Sequence, residues 1–124
     1  MKNAIFYSPD LNLCVSLLLY FQDRYKVTTT TDLDILQVIA VKPGCDLIII
    51  DAEPDLNIEH LCRIIRQRNE KATLILTYVY KSSLQDMEKN IRLTTDAVFY
   101  KPVDLVEVTK KLNQIVNSKN EQPK

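Results

Sequence analysis

Asp46-Leu47-Ile48-Ile49-Ile50-Asp51 is a run of four aliphatic residues closed by a carboxylate. A strand with one wet face alternates apolar and polar side chains; this one has no polar residue to alternate. It therefore reads as a central strand of a parallel sheet, covered on both faces. Asp51 stands where that strand leaves the sheet.

Outward from this strand, short apolar segments alternate with segments of helical period. Upstream, residues 4–7 form a strand, Ser8-Pro9-Asp10 a turn, and residues 11–24 a helix. Residues 26–30, rich in β-branched side chains, form a second strand. Asp32 then caps a helix carrying Leu33, Leu36, Ile39 and Ala40, which Lys42-Pro43-Gly44 ends. Downstream, Asn57 caps a helix with Ile58, Leu61, Cys62, Ile64 and Ile65 inward and Arg63, Arg66 and Arg68 outward. Residues 73–77 form the fourth strand, and Ser82 or Ser83 opens a helix through Leu84, Met87 and Ile91. Residues 97–100 form the fifth strand; Asp104 caps a last helix with Leu105, Val108, Leu112, Ile115 and Val116 at helical spacing.

Five strand–helix units in strict alternation predict an α/β fold. Right-handed crossovers at this size favour a flavodoxin-like (βα)5 doubly wound parallel sheet of order 2-1-3-4-5. One domain over residues 1–117 and a polar tail over 118–124 account for the 124 residues.

Sixteen basic and 16 acidic side chains cancel, and no basic run argues for nucleic acid or an anionic membrane. The most apolar stretch, residues 11–21, is well short of the roughly 20 residues of a membrane span. With no signal-peptide pattern before the first strand, a cytoplasmic protein is expected. Cys14, Cys45 and Cys62 are odd in number and lack a Cys-x-x-Cys pair, which suits free thiols. His60, the one histidine, lacks a neighbouring Cys/His set with which to hold a metal and reads as a surface residue.

In such sheets the functional crevice lies beyond the carboxyl ends of the strands, where the order reverses. The first strand delivers Ser8-Pro9-Asp10, the third Asp51, the fourth Thr77, and the fifth Lys101-Pro102. A carboxylate, a hydroxyl and an ammonium suit phosphoryl chemistry as nucleophile, oxygen donor and counter-charge. Singly, Asp51 reads as a turn starter and Thr77 as a strand end. Three such accidents at one edge are a poorer account than one site.

Over nearly its whole length the chain resembles the receiver domains of bacterial two-component response regulators. The matching motifs are Asp46-Leu-Ile-Ile-Ile-Asp51, Leu74-Ile-Leu-Thr77 and Phe99-Tyr-Lys101-Pro102-Val-Asp104. The resemblance implies a signalling domain of a phosphorelay rather than an enzyme. It implies Asp51 as phosphoacceptor, Thr77 as the hydroxyl that senses the phosphoryl group, Lys101 as counter-cation, and a cis peptide before Pro102. A histidine kinase or another signalling protein is the implied partner, and this domain by itself is not expected to touch nucleic acid.

The departures are specific. Receivers usually end the first strand in two adjacent acidic residues that hold Mg²⁺; here stands Ser8-Pro9-Asp10. Asp51, Asp10 and the backbone carbonyl of Glu53 are the remaining candidate ligands, so Mg²⁺ is expected to bind weakly. Tyr78 stands where a small residue is usual and is expected to screen Asp51. Val98 replaces the aromatic switch residue, with Tyr100 on the same strand face to take that role. These departures keep open a degenerate receiver, a phosphorylation-independent interaction module. A flavin carrier is weaker, because Ser8-Pro9-Asp10 is too short to cradle a phosphate.

The first helix carries Leu11, Leu13, Cys14, Val15, Leu17, Leu18, Leu19, Tyr20 and Phe21, more than one apolar stripe. It is one candidate surface for a homodimer or other partner, with Leu13 and Leu17 as the residues to change. The other is the face of the fourth helix, fifth strand and fifth helix, rimmed by Lys89, Arg92, Lys110 and Lys111.

Overall fold

The computed structural model describes the chain through Glu121, and side chains through Lys119. The elements run β1 (Lys2–Tyr7), α1 (Leu11–Phe21), β2 (Tyr25–Thr30), α2 (Leu33–Ile39), β3 (Leu47–Asp51) and α3 (Leu56–Arg68). β4 (Thr73–Tyr78), a 3-10 turn over Ser82–Leu84, α4 (Gln85–Ile91), β5 (Ala97–Tyr100) and α5 (Leu105–Glu121) complete the chain. The five strands are parallel in the order β2-β1-β3-β4-β5, the flavodoxin-like order expected.

Side chains of a strand alternate between faces, so each central strand feeds two cores. Ile5, Tyr7, Ile48, Ile50, Leu74, Leu76 and Tyr78 meet α2, α3 and α4 through Leu36, Ile58, Leu61, Cys62, Ile65 and Ile91. Ala4, Phe6, Leu47, Ile49, Ile75 and Ala97 meet α1 and α5 through Leu17, Phe21, Val108 and Leu112. Every residue of β3 is buried, as its unbroken aliphatic run requires. Full burial of one such side chain is worth about 1.5–3 kcal/mol, which makes this strand the spine of the fold.

Aspartates start the helices. Asp32 accepts from the N–H groups of Asp34 and Ile35, and Asp104 from that of Val106 at 2.9 Å. The cap of α3 is Asp55, which accepts from Ile58 N–H at 2.8 Å; Asn57 lies inside the helix. Asp55 follows the buried Pro54 and keeps an extended backbone, so its carboxylate reaches the free N–H groups first. Residues 11–24 do not stay helical to their end. α1 stops at Phe21 because the chain must turn into β2, and Arg24 folds back over the rings of Tyr20 and Phe21. Gly44, the one glycine, takes a φ of 95° in the turn before β3.

α5 runs past Asn117 to Glu121, so the expected tail begins inside a helix; its residues 122–124 lie outside those described. Lys119 explains the extension. Its ammonium donates to the Ala72 carbonyl at 3.0 Å and pairs with Asp96 at 3.2 Å. Asp96 also accepts from Arg66 and from the Leu74 N–H, which joins α3, β4, β5 and α5 at the N-terminal pole of the sheet.

On α1, Leu13 is half-buried and Leu17 is buried, so they belong to the core. The outward apolar stripe is Leu11, Val15 and Leu19, one helical turn apart. Among the described residues, no helix is long and apolar enough to cross a membrane.

Candidate functional site

Four strands bring polar side chains to one edge. Ser8 extends β1, its N–H reaching the Thr30 carbonyl at 3.3 Å. Asp51 is paired in register with Thr77, and Thr77 with Phe99. The Lys101 N–H donates to the Tyr78 carbonyl at 2.9 Å, so Lys101 leaves the sheet level with Asp51. The Lys101–Pro102 peptide is cis, as the resemblance implies.

Asp51 is 5% exposed, and a buried ionised carboxylate costs several kcal/mol unless it is paired and hydrogen-bonded. Two donors answer that cost on the same oxygen. Lys101 Nζ lies 3.0 Å from Asp51 Oδ2, and Ser8 Oγ donates to Oδ2 at 2.6 Å. The Ser8 oxygen in turn accepts the Asp10 N–H at 2.9 Å, which fixes the direction of its proton. Lys101 keeps part of its side chain in water, so the pair is open on the ammonium side.

Thr77 is buried on the same side of the sheet as Asp51, and its Oγ1 has no hydrogen-bond partner among the described residues. Below it lies a cavity of about 10 Å³ lined by apolar side chains of α1, β3, β4 and β5, with room for at most one water. Two further ionisable groups flank the crevice. Burial raises the Cys14 thiol, against a weaker opposing bond to the Ser8 carbonyl. Burial and then the charge of Asp51 raise the Tyr7 hydroxyl. Both stay protonated at neutral pH.

The expected Mg²⁺ ligands do not form a set. Asp10 spends Oδ1 on the Asn12 N–H at 2.9 Å, capping α1. Glu53 is expected to contribute only its backbone carbonyl, and its carboxylate turns outward to Lys81 at 2.6 Å. Asp51 Oδ2 already holds two donors. Among the described residues, no three His, Cys, Asp or Glu side chains come together to hold an ion. The residues present do not fit the Mg²⁺ that the fold family implies.

Tyr78 does not cover Asp51. Strand alternation sends it to the opposite face, where it is 1% exposed and donates to Glu88 Oε1 at 2.5 Å. Tyr100 shares that face with Val98 and donates to Glu88 Oε2 at 2.9 Å, with its ring outermost. Arg92 Nε completes the set on Oε2 at 2.9 Å. Burial alone raises the Glu88 carboxyl, yet the bonds from Tyr78, Arg92 and Tyr100 outweigh it and hold the pKa below the usual range. Burial and the Glu88 bond raise the Tyr78 hydroxyl well above its ordinary value. Sequence reasoning missed Glu88, although its place in the stripe Leu84, Met87, Glu88, Ile91 was a signal: a carboxylate on an apolar helix face requires partners.

No protein-family model matches the chain, and no curated protein does. Solved structures do. A CheY-like receiver domain from Methanospirillum hungatei JF-1 superposes with a TM-score of 0.80 at 17% identity, covering 98% of this chain and 99% of that one. A chain from Burkholderia pseudomallei named for pilus assembly gives 0.71 at 20%, covering 93% and 89%. A response regulator from Burkholderia pseudomallei, solved with a phosphorylated aspartic acid, calcium ion and citrate, gives 0.72 at 16%, covering 99% and 76%. Identities this low speak for the fold: this chain has the receiver-domain fold of response regulators.

Proposed function

We propose that the chain is a receiver-type signalling domain in which Asp51 accepts a phosphoryl group and the change alters partner contacts. The observation that carries this reading is Thr77. Its hydroxyl is buried, lacks a partner, and sits in register beside Asp51. An unsatisfied buried hydroxyl costs about 1–3 kcal/mol, and a phosphoryl oxygen on Asp51 would relieve it. Lys101, 3.0 Å from the carboxylate, supplies the counter-charge for the dianion. A histidine kinase or another signalling protein would be the donor. Two surfaces suit partners, this chain's second copy included. They are the Leu11, Val15, Leu19 stripe of α1 and the α4-β5-α5 face with Lys89, Lys110 and Lys111 exposed.

The test is incubation of the native protein with acetyl phosphate, with and without Mg²⁺, followed by intact-mass measurement. One base-labile phosphoryl group is expected on the wild type and none on Asp51→Asn. Failure of the wild type to incorporate under either condition rejects Asp51 as acceptor.

A second reading, a phosphorylation-independent interaction module, is favoured by one observation: Ser8 and Lys101 already saturate Asp51 Oδ2. On that reading Asp51 is an anchor joining β1, β3 and β5. Its replacement would then change stability and partner binding together.

A further inference from the structure

We infer that Ser8 stands in for a cation: its hydroxyl, with the Lys101 ammonium, makes the Asp51 crevice complete without a divalent ion and closes it to one. The inference is independent of phosphorylation, since it concerns what the unmodified site binds.

Ser8 is fully buried at the end of β1, with Pro9 after it and its N–H held by Thr30. Its proton is committed to Asp51 Oδ2, and its oxygen accepts the Asp10 N–H. With one lone pair taken by the Asp10 N–H, the Ser8 oxygen has a single lone pair left for a metal and brings no charge to it. Asp10 caps α1 through Oδ1, which leaves Oδ2 as its one oxygen for an ion. Charge points the same way. Asp51 and Lys101 cancel, so beside Ser8 only Asp10 adds a net negative charge, a weak attraction for a divalent cation. Mg²⁺ also demands a near-octahedral oxygen shell and sheds water reluctantly, and one carboxylate already holding two donors is a poor start. A hydroxyl donor at 2.6 Å does for Asp51 what the positive charge of an ion would do, without the ion.

This assigns selectivity against metal to one side chain. Ser8→Asp would put a second carboxylate against Asp51, with only Lys101 between them, and mutual repulsion would then create demand for a cation.

The experiment uses the full chain and Mn²⁺ alone. In the wild type, Mn²⁺ should produce no saturable broadening of the Asp51, Ala52 and Thr77 amide resonances at millimolar concentration. Ser8→Asp should lose thermal stability in chelator, regain it on adding Mn²⁺, and bind Mn²⁺ roughly tenfold or more tightly than the wild type. Saturable binding of Mn²⁺ at these amides in the wild type overturns the inference, whatever the variant does. So does a folded Ser8→Asp protein with no gain in affinity. Neither outcome depends on whether acetyl phosphate modifies Asp51, so this inference and the phosphoacceptor reading fail separately.

Discussion

Replacing Glu88 by alanine should cost this protein more than replacing any other polar residue of α4. Glu88 is 6% exposed and accepts hydrogen bonds from three groups, two of them on neighbouring strands. Tyr100 and Arg92 are partly in water and would be rehydrated when the carboxylate leaves. Tyr78 would not: its hydroxyl is buried and would lose its acceptor. Losing a bond to a charged group and stranding that hydroxyl together come to about 2–4 kcal/mol. With a urea slope of about 1–3 kcal/mol/M, the midpoint followed by circular dichroism should fall by roughly 1–2 M. Glu88→Gln keeps the shape and one acceptor, and should lose about half as much. The pH dependence separates charge from shape. The Glu88 carboxyl titrates lower in the folded protein than in the unfolded chain, so its charge contributes stability above the unfolded carboxyl pKa of about 4.3. That contribution disappears as pH falls through the lower folded value. The gap between wild type and Glu88→Gln should therefore be widest near neutrality and close in acid. An alanine variant as stable as the wild type, or a glutamine gap that widens in acid, would refute the reasoning.

Two further outcomes concern the crevice. Lys101→Met should destabilise by about 1–3 kcal/mol, less than a fully buried pair would lose, because Ser8 still holds Asp51 and the lysine is partly solvated. Adding Asp51→Asn should return part of that loss, and the urea double-mutant cycle should show a coupling of roughly 1–2 kcal/mol; additive losses would contradict the ion pair. Thr77→Val should raise stability by about 1–3 kcal/mol, because the deleted hydroxyl has no partner among the described residues. A clear fall in its urea midpoint would mean that Oγ1 has a partner.

The site residues were legible because the fold class dictates where strands end. Once β3 reads as a central strand, Asp51, Thr77 and Lys101 must meet at one edge, and Lys101 does reach Asp51. The face of Tyr78 was legible by the same counting: it sits one residue after Thr77, so it points away from Asp51. The choice between Asp55 and Asn57 was not, since both are good caps two residues apart and only the extended backbone after Pro54 decides. Nor was the Ser8–Asp51 bond, which joins residues 43 apart in sequence and depends on one hydroxyl rotor. The helical extension to Glu121 escaped notice because a polar sequence hides Lys119, whose value lies in carbonyls and a carboxylate contributed from elsewhere.

The carboxylate of Asp96 gives the molecule a fulcrum. It gathers Arg66, Lys119 and the Leu74 N–H at the pole opposite Asp51, while nearer the crevice α5 is held by Val108 in the core and by the Thr109 bond to Tyr20. From Lys119 to Leu105 the helix spans about 21 Å. A tilt of only about 5° about the tether sweeps Leu105 through roughly 2 Å, beside Val103 and the small void under Thr77. Leverage of this kind would turn a small rotation at the Asp96 end of α5 into a displacement of about 2 Å at the end beside the crevice.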